Sequence, residues 1–105
     1  MTDPLLSIIL PAYNEEKRLP GTLATIQGFL QQQPYLAEVL VVENGSTDRT
    51  LLVAQDFASR NPVFQALHEE QRGKGRAVRT GMLAARGQYR FFADVDLSMP
   101  IEQVN

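Results

Sequence analysis

Apolar residues along this chain follow two alternating rhythms. Leu5–Leu10 is a continuous run, Leu-Leu-Ser-Ile-Ile-Leu, closed by Pro11, and Glu38–Glu43 encloses a second, Val39-Leu40-Val41-Val42. Runs this short and this apolar suit strands buried on both faces, as in parallel sheets. Val63–Leu67 reads as a third, weaker strand and Tyr89–Ala93 as a fourth. Between them the apolar spacing changes to three and four. Leu19, Leu23, Ile26 and Leu30 predict a helix over Pro20–Gln33, with Pro20 suited to its first turn and Pro34 ending it. A second helix is predicted after Asn44-Gly45-Ser46-Thr47-Asp48, capped by Ser46 or Thr47, with Asp48 at its positive end. Leu51, Leu52, Ala54, Phe57 and Ala58 form its apolar side, and Asn61-Pro62 stops it. A third helix is expected over Arg76–Arg86. Its small residues Ala77, Gly81 and Ala85 allow close approach to a sheet, and Gly87 suits a C-cap.

The order is therefore β-α-β-α-β-α-β. Such alternation predicts an α/β fold, a mainly parallel sheet with helices on both faces, which binds ligands beyond the carboxyl ends of its strands. Residues 1–105 read as one unit without repeats or internal linkers, and the first turn of another helix is expected from Pro100. A fragment of a longer protein is the expectation.

Composition narrows the field. Hydrophobic residues make up 44% and charged residues 21%, ordinary for a globular domain. The net charge of −2 gives no global basic field, so nucleic acid is not an expected partner. Cations are nonetheless concentrated: of the 10 Lys and Arg residues, Arg72, Lys74, Arg76, Arg79, Arg86 and Arg90 fall in one stretch that could meet an anion or form a solvated helix face. The absence of cysteine excludes disulfides and thiolate metal sites. Met1-Thr2-Asp3-Pro4 carries no signal-peptide pattern, and no apolar run approaches the roughly 18 residues that span a bilayer.

Three polar clusters follow the first, second and fourth strands. Parallel strands would place them at one edge of the sheet. In Pro11-Ala12-Tyr13-Asn14-Glu15, Tyr13 could pack on a ring and Glu15 could accept hydrogen bonds from a base or ribose; a strand-to-helix turn capped by Asn14 is the plainer alternative. Glu43-Asn44-Gly45-Ser46 could meet a nucleobase edge or form a simple turn and cap. Asp94-Val95-Asp96 places two carboxylates beyond a buried strand, where a hard divalent ion, Mg²⁺ or Mn²⁺, together with substrate phosphates would offset their repulsion. An EF-hand is excluded, because Met99 and Asn105 stand where that loop needs Gly and Glu. Arg72-Gly73-Lys74-Gly75 could approach a phosphate, but it is neither a P-loop nor a dinucleotide fingerprint. His68, the single histidine, is assigned no role, and no Ser-His-Asp or Cys-His set is available for nucleophilic catalysis.

In order and spacing, these clusters resemble the family 2 glycosyltransferases of the GT-A fold. The resemblance is carried by Leu10–Glu16, Val41–Thr50, Arg72–Gly81, Ala85-Arg86-Gly87 and Asp94-Val95-Asp96, and covers about Ser7 to Pro100. Arg72–Gly81 and the ending Asp-Val-Asp-Leu-Ser-Met-Pro are most similar to the branch that glucosylates or mannosylates dolichyl or other polyprenyl phosphates. The resemblance implies that Pro11, Tyr13 and Glu15 line a nucleoside pocket, that Arg72 and Lys74 lie near the nucleotide, and that Asp94, Asp96 and Ser98 hold the metal and diphosphate. Most relatives carry Asp-Asp where this chain has Glu43-Asn44, which leaves the choice of base open.

The implied activity is inverting transfer of a sugar from a nucleotide-sugar donor, UDP-glucose or GDP-mannose, to a polyprenyl-phosphate acceptor. A cytoplasmic site is implied, at the cytosolic face of a membrane reached through other segments. The family's acceptor site and general base come later in the chain, so residues 1–105 are expected to bind nucleotide weakly and to transfer no sugar. The alternatives are a non-catalytic nucleotide-binding module, a sugar-phosphate nucleotidyltransferase and an aspartyl-phosphate phosphatase. The nucleotidyltransferases usually carry a glycine-rich basic loop after the first strand, absent from Pro11–Glu15, and the phosphatases place Asp-x-Asp there rather than after the fourth.

Overall fold

A computed structural model describes residues 3–97 and Ile101. Four strands, β1 (Leu6–Ala12), β2 (Ala37–Glu43), β3 (Phe64–His68) and β4 (Tyr89–Phe92), alternate with three helices, α1 (Leu19–Gln31), α2 (Thr50–Arg60) and α3 (Lys74–Ala84). The strands form one parallel sheet in the order β3-β2-β1-β4. The α/β fold and the element order match the sequence reading. Strand boundaries differ by a residue or two, α1 ends at Gln31, and α3 begins at Lys74.

The apolar runs of β1 and β2 are explained by their central position. Leu6, Ile8, Leu10 and Ala12 face one side, with Val39, Val41 and Phe64, and are covered by Leu19, Leu23 and Ile26 of α1 and Ala54 of α2. Ile9, Leu40 and Val42 face the other side and are covered by Ala77 and Met82 of α3, with Ala85 just beyond it. Phe57 of α2 meets Phe64 edge to face, with ring centroids 4.8 Å apart. The stripe of small residues on α3 does what its spacing suggests. A Cβ on Gly81 would lie 2.5 Å from Ile9 Cγ2 and 3.2 Å from Val42 Cγ2, so only glycine permits this helix-to-sheet distance.

Two local expectations are corrected. Gly87 is not a helix cap: α3 ends at Ala84 with Ala85 as C-cap, and Gly87 lies two residues further on. It is small because β1 passes beside it. Its N–H donates to Ser7 Oγ at 2.8 Å, and a Cβ there would sit 2.5 Å from that oxygen. Neither Ser46 nor Thr47 caps α2. Asp48 Oδ1 instead accepts from the Thr50 N–H at 2.9 Å and from the Thr50 hydroxyl.

The amino-terminal edge of the sheet is closed by Glu38. This buried carboxylate accepts from the Ser7 hydroxyl and from the Arg86 N–H, both at 2.6 Å. Burial pushes its pKa up, but the Arg86 and Ser7 hydrogen bonds and the Arg86 charge outweigh burial and hold it below its ordinary value.

The chain moves outward from β1 through β2 to β3, then crosses back to place β4 on the other side of β1. This reversal opens a crevice at the carboxyl ends of the strands, the position where open α/β sheets bind ligands. Among the described residues, no helix is long and apolar enough to cross a membrane. The helical turn expected from Pro100 lies outside the described residues, apart from the buried Ile101.

Candidate nucleotide and metal site

A cleft of about 440 Å³ lies at that crevice. It is lined by Pro11 and Ala12 at the end of β1, by Tyr13 and Glu15 just beyond, and by Arg72, Gly73, Lys74 and Ala77 of the loop before α3 and its start. Asp94, Val95 and Asp96 close it beyond β4, and Asn44 enters from the end of β2. Of the residues singled out from the sequence, Pro11, Tyr13, Glu15, Asn44, Arg72, Lys74, Asp94 and Asp96 all line this one space. Glu43 does not, and Ser98 lies outside the described residues.

The Tyr13–Glu15 wall is held by the second cluster. Asn14, with φ of 53°, turns the chain sharply. Its N–H donates to Ser46 Oγ at 2.9 Å, and its side-chain oxygen accepts from the Thr47 N–H at 2.8 Å. The Glu15 N–H donates to Thr50 Oγ1 at 2.8 Å and the Glu16 N–H to Asp48 at 3.3 Å. The Ser-Thr-Asp segment thus frames the first loop rather than capping its own helix through Ser46 or Thr47.

Glu43 turns inward, although the sequence suggested contact with a base. Only 2% of it is exposed. One oxygen accepts from the Ser46 N–H and the other from His68 Nδ1 at 2.6 Å. Burial raises the pKa of Glu43, but the Ser46 and His68 hydrogen bonds more than offset this and leave it below the ordinary value. Glu43 therefore ties the end of β2 to β3, and His68, which the sequence left without a role, is its partner.

Asn44 is similarly engaged. Its Nδ2 donates to the carbonyls of Glu69 at 3.0 Å and Gln71 at 2.8 Å, and its Oδ1 accepts from the Gly73 N–H at 2.9 Å. This side chain clamps the loop that carries the cations, through three backbone groups that spacing alone could not reveal. Gly73, at φ of 131°, turns that loop into α3 through a conformation open to glycine and costly for other residues.

The cations are placed by this clamp. The Arg72 guanidinium lies 3.9 Å from the Tyr13 ring centroid, a cation–π contact across the cleft. Lys74 Nζ lies 2.5 Å from Asp94 Oδ1 and 4.9 Å from the centre of the Phe92 ring. Lys74 opens α3, so the positive end of the helix dipole lies beside the same cleft.

Thr22 of α1, not recognised from the sequence, supports the acidic turn. Its hydroxyl donates to the Val95 carbonyl at 2.5 Å, and Val95 itself is buried in the core. Pinning the middle residue fixes the aspartates on either side. Among the described residues no group of three or more His, Cys, Asp or Glu is gathered to hold an ion. Asp94 and Asp96 both border the cleft, and carboxylate oxygens are of the kind that Mg²⁺ and Mn²⁺ take, with phosphate and water completing the shell. The donor set fits such an ion.

An α/β sheet whose crevice gathers two carboxylates and a cationic helix start defines the class, and sequence comparison supplies the family: a glycosyl transferase family 2 profile matches residues 7–105, and the chain belongs to that family. Its relatives include the dolichyl-phosphate beta-glucosyltransferase of Drosophila melanogaster, 45% identical over 101 residues, and that of Homo sapiens, 35% identical over 99. Each alignment covers 87% of this chain, but the chain spans only 30% of the Drosophila relative and 31% of the human one. Among solved structures, the Pyrobaculum calidifontis mannosyltransferase PcManGT, in complex with GDP-Man and Mn²⁺, superposes with a TM-score of 0.75 at 30% identity, over 91% of this chain and 28% of that one. The Mycobacterium tuberculosis glucosyl-3-phosphoglycerate synthase, in complex with Mn²⁺, UDP and glucosyl-3-phosphoglycerate, superposes with a TM-score of 0.69 at 27% identity, over 88% of this chain and 33% of that one.

Proposed function

We propose that this chain forms the donor-binding part of a glycosyltransferase that moves a sugar, with inversion, from a nucleotide-sugar to a polyprenyl phosphate. UDP-glucose is the favoured donor over GDP-mannose. The observation that carries this reading is the gathering of both signs of charge around one cleft. Asp94 and Asp96 line it together with Arg72 and Lys74, and Lys74 is ion-paired with Asp94. A nucleoside diphosphate bridged by a divalent cation calls on both kinds of group. Family membership and the likeness to dolichyl-phosphate beta-glucosyltransferases support the sugar and the acceptor.

In this reading the nucleoside lies against Pro11, Tyr13 and Glu15, where the Glu15 carboxylate can accept hydrogen bonds from ribose or base. Asn44 and Glu43 act one step back, Asn44 by holding the Arg72–Lys74 loop and Glu43 by anchoring Ser46, which in turn holds Asn14. Asp94 and Asp96, with Ser98 as a further oxygen donor, would hold Mg²⁺ or Mn²⁺, and the ion would supply Lewis-acid stabilisation of the leaving diphosphate. Lys74 and Arg72 neutralise the same charge with ammonium and guanidinium donors. An ionised lipid phosphate is already a nucleophile and needs little base assistance, whereas a hydroxyl acceptor would require a general base. The membrane contact this acceptor requires would come from other segments.

Calorimetric titration with UDP and GDP, with and without Mn²⁺, tests the reading. UDP is expected to bind more tightly than GDP, and only with the metal present. Asp96→Asn is expected to remove the metal dependence. Equal binding with and without Mn²⁺ overturns the role given to Asp94 and Asp96, and no binding of either nucleotide overturns the donor pocket.

A further inference from the structure

The contact between Lys74 and Asp94 sets a condition on how the two ligands enter. Lys74 Nζ sits 2.5 Å from Asp94 Oδ1, on one of the two carboxylates assigned to the cation. An ammonium and a divalent ion on the same carboxylate repel each other, so each weakens the other's hold on Asp94. The Lys74 side chain is 59% exposed, so its four-carbon stem can swing, while its Cα is fixed by the Gly73 turn and the Asn44 clamp. Arg72 and the first turn of α3 border the same cleft, and a diphosphate placed there lies within the sweep of the Lys74 stem.

We propose that Lys74 is a positioning residue that exchanges partners: it competes with the divalent cation for Asp94 until a diphosphate draws it across the cleft, so that nucleotide and cation bind with positive coupling. The inference rests on the metal role of Asp94 given above. Its thermodynamic content is reciprocal. Nucleotide raises the affinity for the cation by the same factor as the cation raises the affinity for nucleotide. Without nucleotide, the ammonium keeps Asp94 neutralised and cation affinity low. A lysine that serves only as a fixed phosphate ligand would leave cation affinity in the absence of nucleotide unaffected, beyond the loss of one positive charge.

The test is a Mn²⁺ titration of the chain at 0.15 M ionic strength, followed by the paramagnetic resonance signal of free Mn²⁺, with and without UDP. Lys74→Met is compared with Arg79→Met, which removes an exposed cation on the same helix and controls for net charge. In Lys74→Met, Mn²⁺ affinity without UDP is expected to rise at least about fivefold above that of Arg79→Met, and the gain in Mn²⁺ affinity on adding UDP to shrink by a similar factor. Lys74→Gln is expected to shift both quantities in the same direction, which guards against a folding defect in one variant. If Lys74→Met and Arg79→Met bind Mn²⁺ equally, or the UDP-induced gain is unchanged, the exchange is overturned while the metal site stands. If Asp94→Asn binds Mn²⁺ as the parent chain does, the metal reading fails and the exchange fails with it.

Discussion

The side chain of Asn44 accepts the Gly73 N–H at 2.9 Å, joining the end of β2 to the loop before α3 across 29 positions of sequence. The same side chain holds the Glu69 and Gln71 carbonyls. A residue that lines the cleft is also the brace for the loop that carries its cations.

Asn44→Ala leaves three backbone groups without their partner. A loss of about 2 kcal/mol in unfolding free energy is expected, measured by urea denaturation. Hydrogen exchange at the Gly73 amide should accelerate in the folded state, and UDP affinity should fall about tenfold as Arg72 and Lys74 lose their fixed placement. Asn44→Asp should resemble it, because an acceptor oxygen would then face two carbonyls.

Gly81→Ala tests the close contact between α3 and the sheet. The added methyl meets Ile9 Cγ2 at 2.5 Å and Val42 Cγ2 at 3.2 Å. Overpacking of this kind costs about 1–3 kcal/mol, so thermal unfolding should shift down by roughly 4–8 °C for each kcal/mol lost. An unchanged or higher melting temperature would show that α3 can move outward freely.

Glu38 makes stability depend on pH. Its folded pKa lies below the ordinary value of 4.5. The ionised carboxylate therefore stabilises the fold above that value, and the contribution is lost as the pH falls through the folded pKa. Urea midpoints are expected to hold near neutral pH and to decline as the pH falls below the ordinary carboxylate value, and Glu38→Gln should be less stable at neutral pH with a shallower decline.

Arg72→Lys preserves charge but removes the planar group that lies 3.9 Å from the centre of the Tyr13 ring. Lysine and arginine are not equivalent at a stacked site. A three- to tenfold loss of UDP affinity, about 1 kcal/mol, is expected by calorimetry. An unchanged affinity would mean that only the charge matters there.

How much of this was legible in the sequence follows from which forces are local. The runs at Ile8–Leu10 and Val39–Val42 announced central strands because burial on both faces leaves no polar position. The stripe Ala77, Gly81 and Ala85 announced a close packing face because helical spacing determines it. The convergence of Tyr13, Asn44 and Asp94 followed from parallel strand order, whereas Lys74 was placed beside them by the family resemblance. What the sequence concealed depends on register and on distant partners. Glu43 stands opposite His68 in the β2–β3 pairing, so its carboxylate finds an imidazole instead of a ligand. Gly87 resembles a helix cap until β1 is placed beside it. Thr22 gives no signal, since its acceptor is a backbone carbonyl 73 residues away.

The cleft is stitched from pieces near Pro11, Asn44, Arg72 and Asp94 that adjoin one another only after the whole sheet has assembled. A partly assembled chain therefore offers no half-strength version of it. Nucleotide bound there as proposed would raise the melting temperature in proportion to the logarithm of ligand concentration above its Kd. A simple thermal-shift assay on this small chain thus becomes a direct gauge of donor preference.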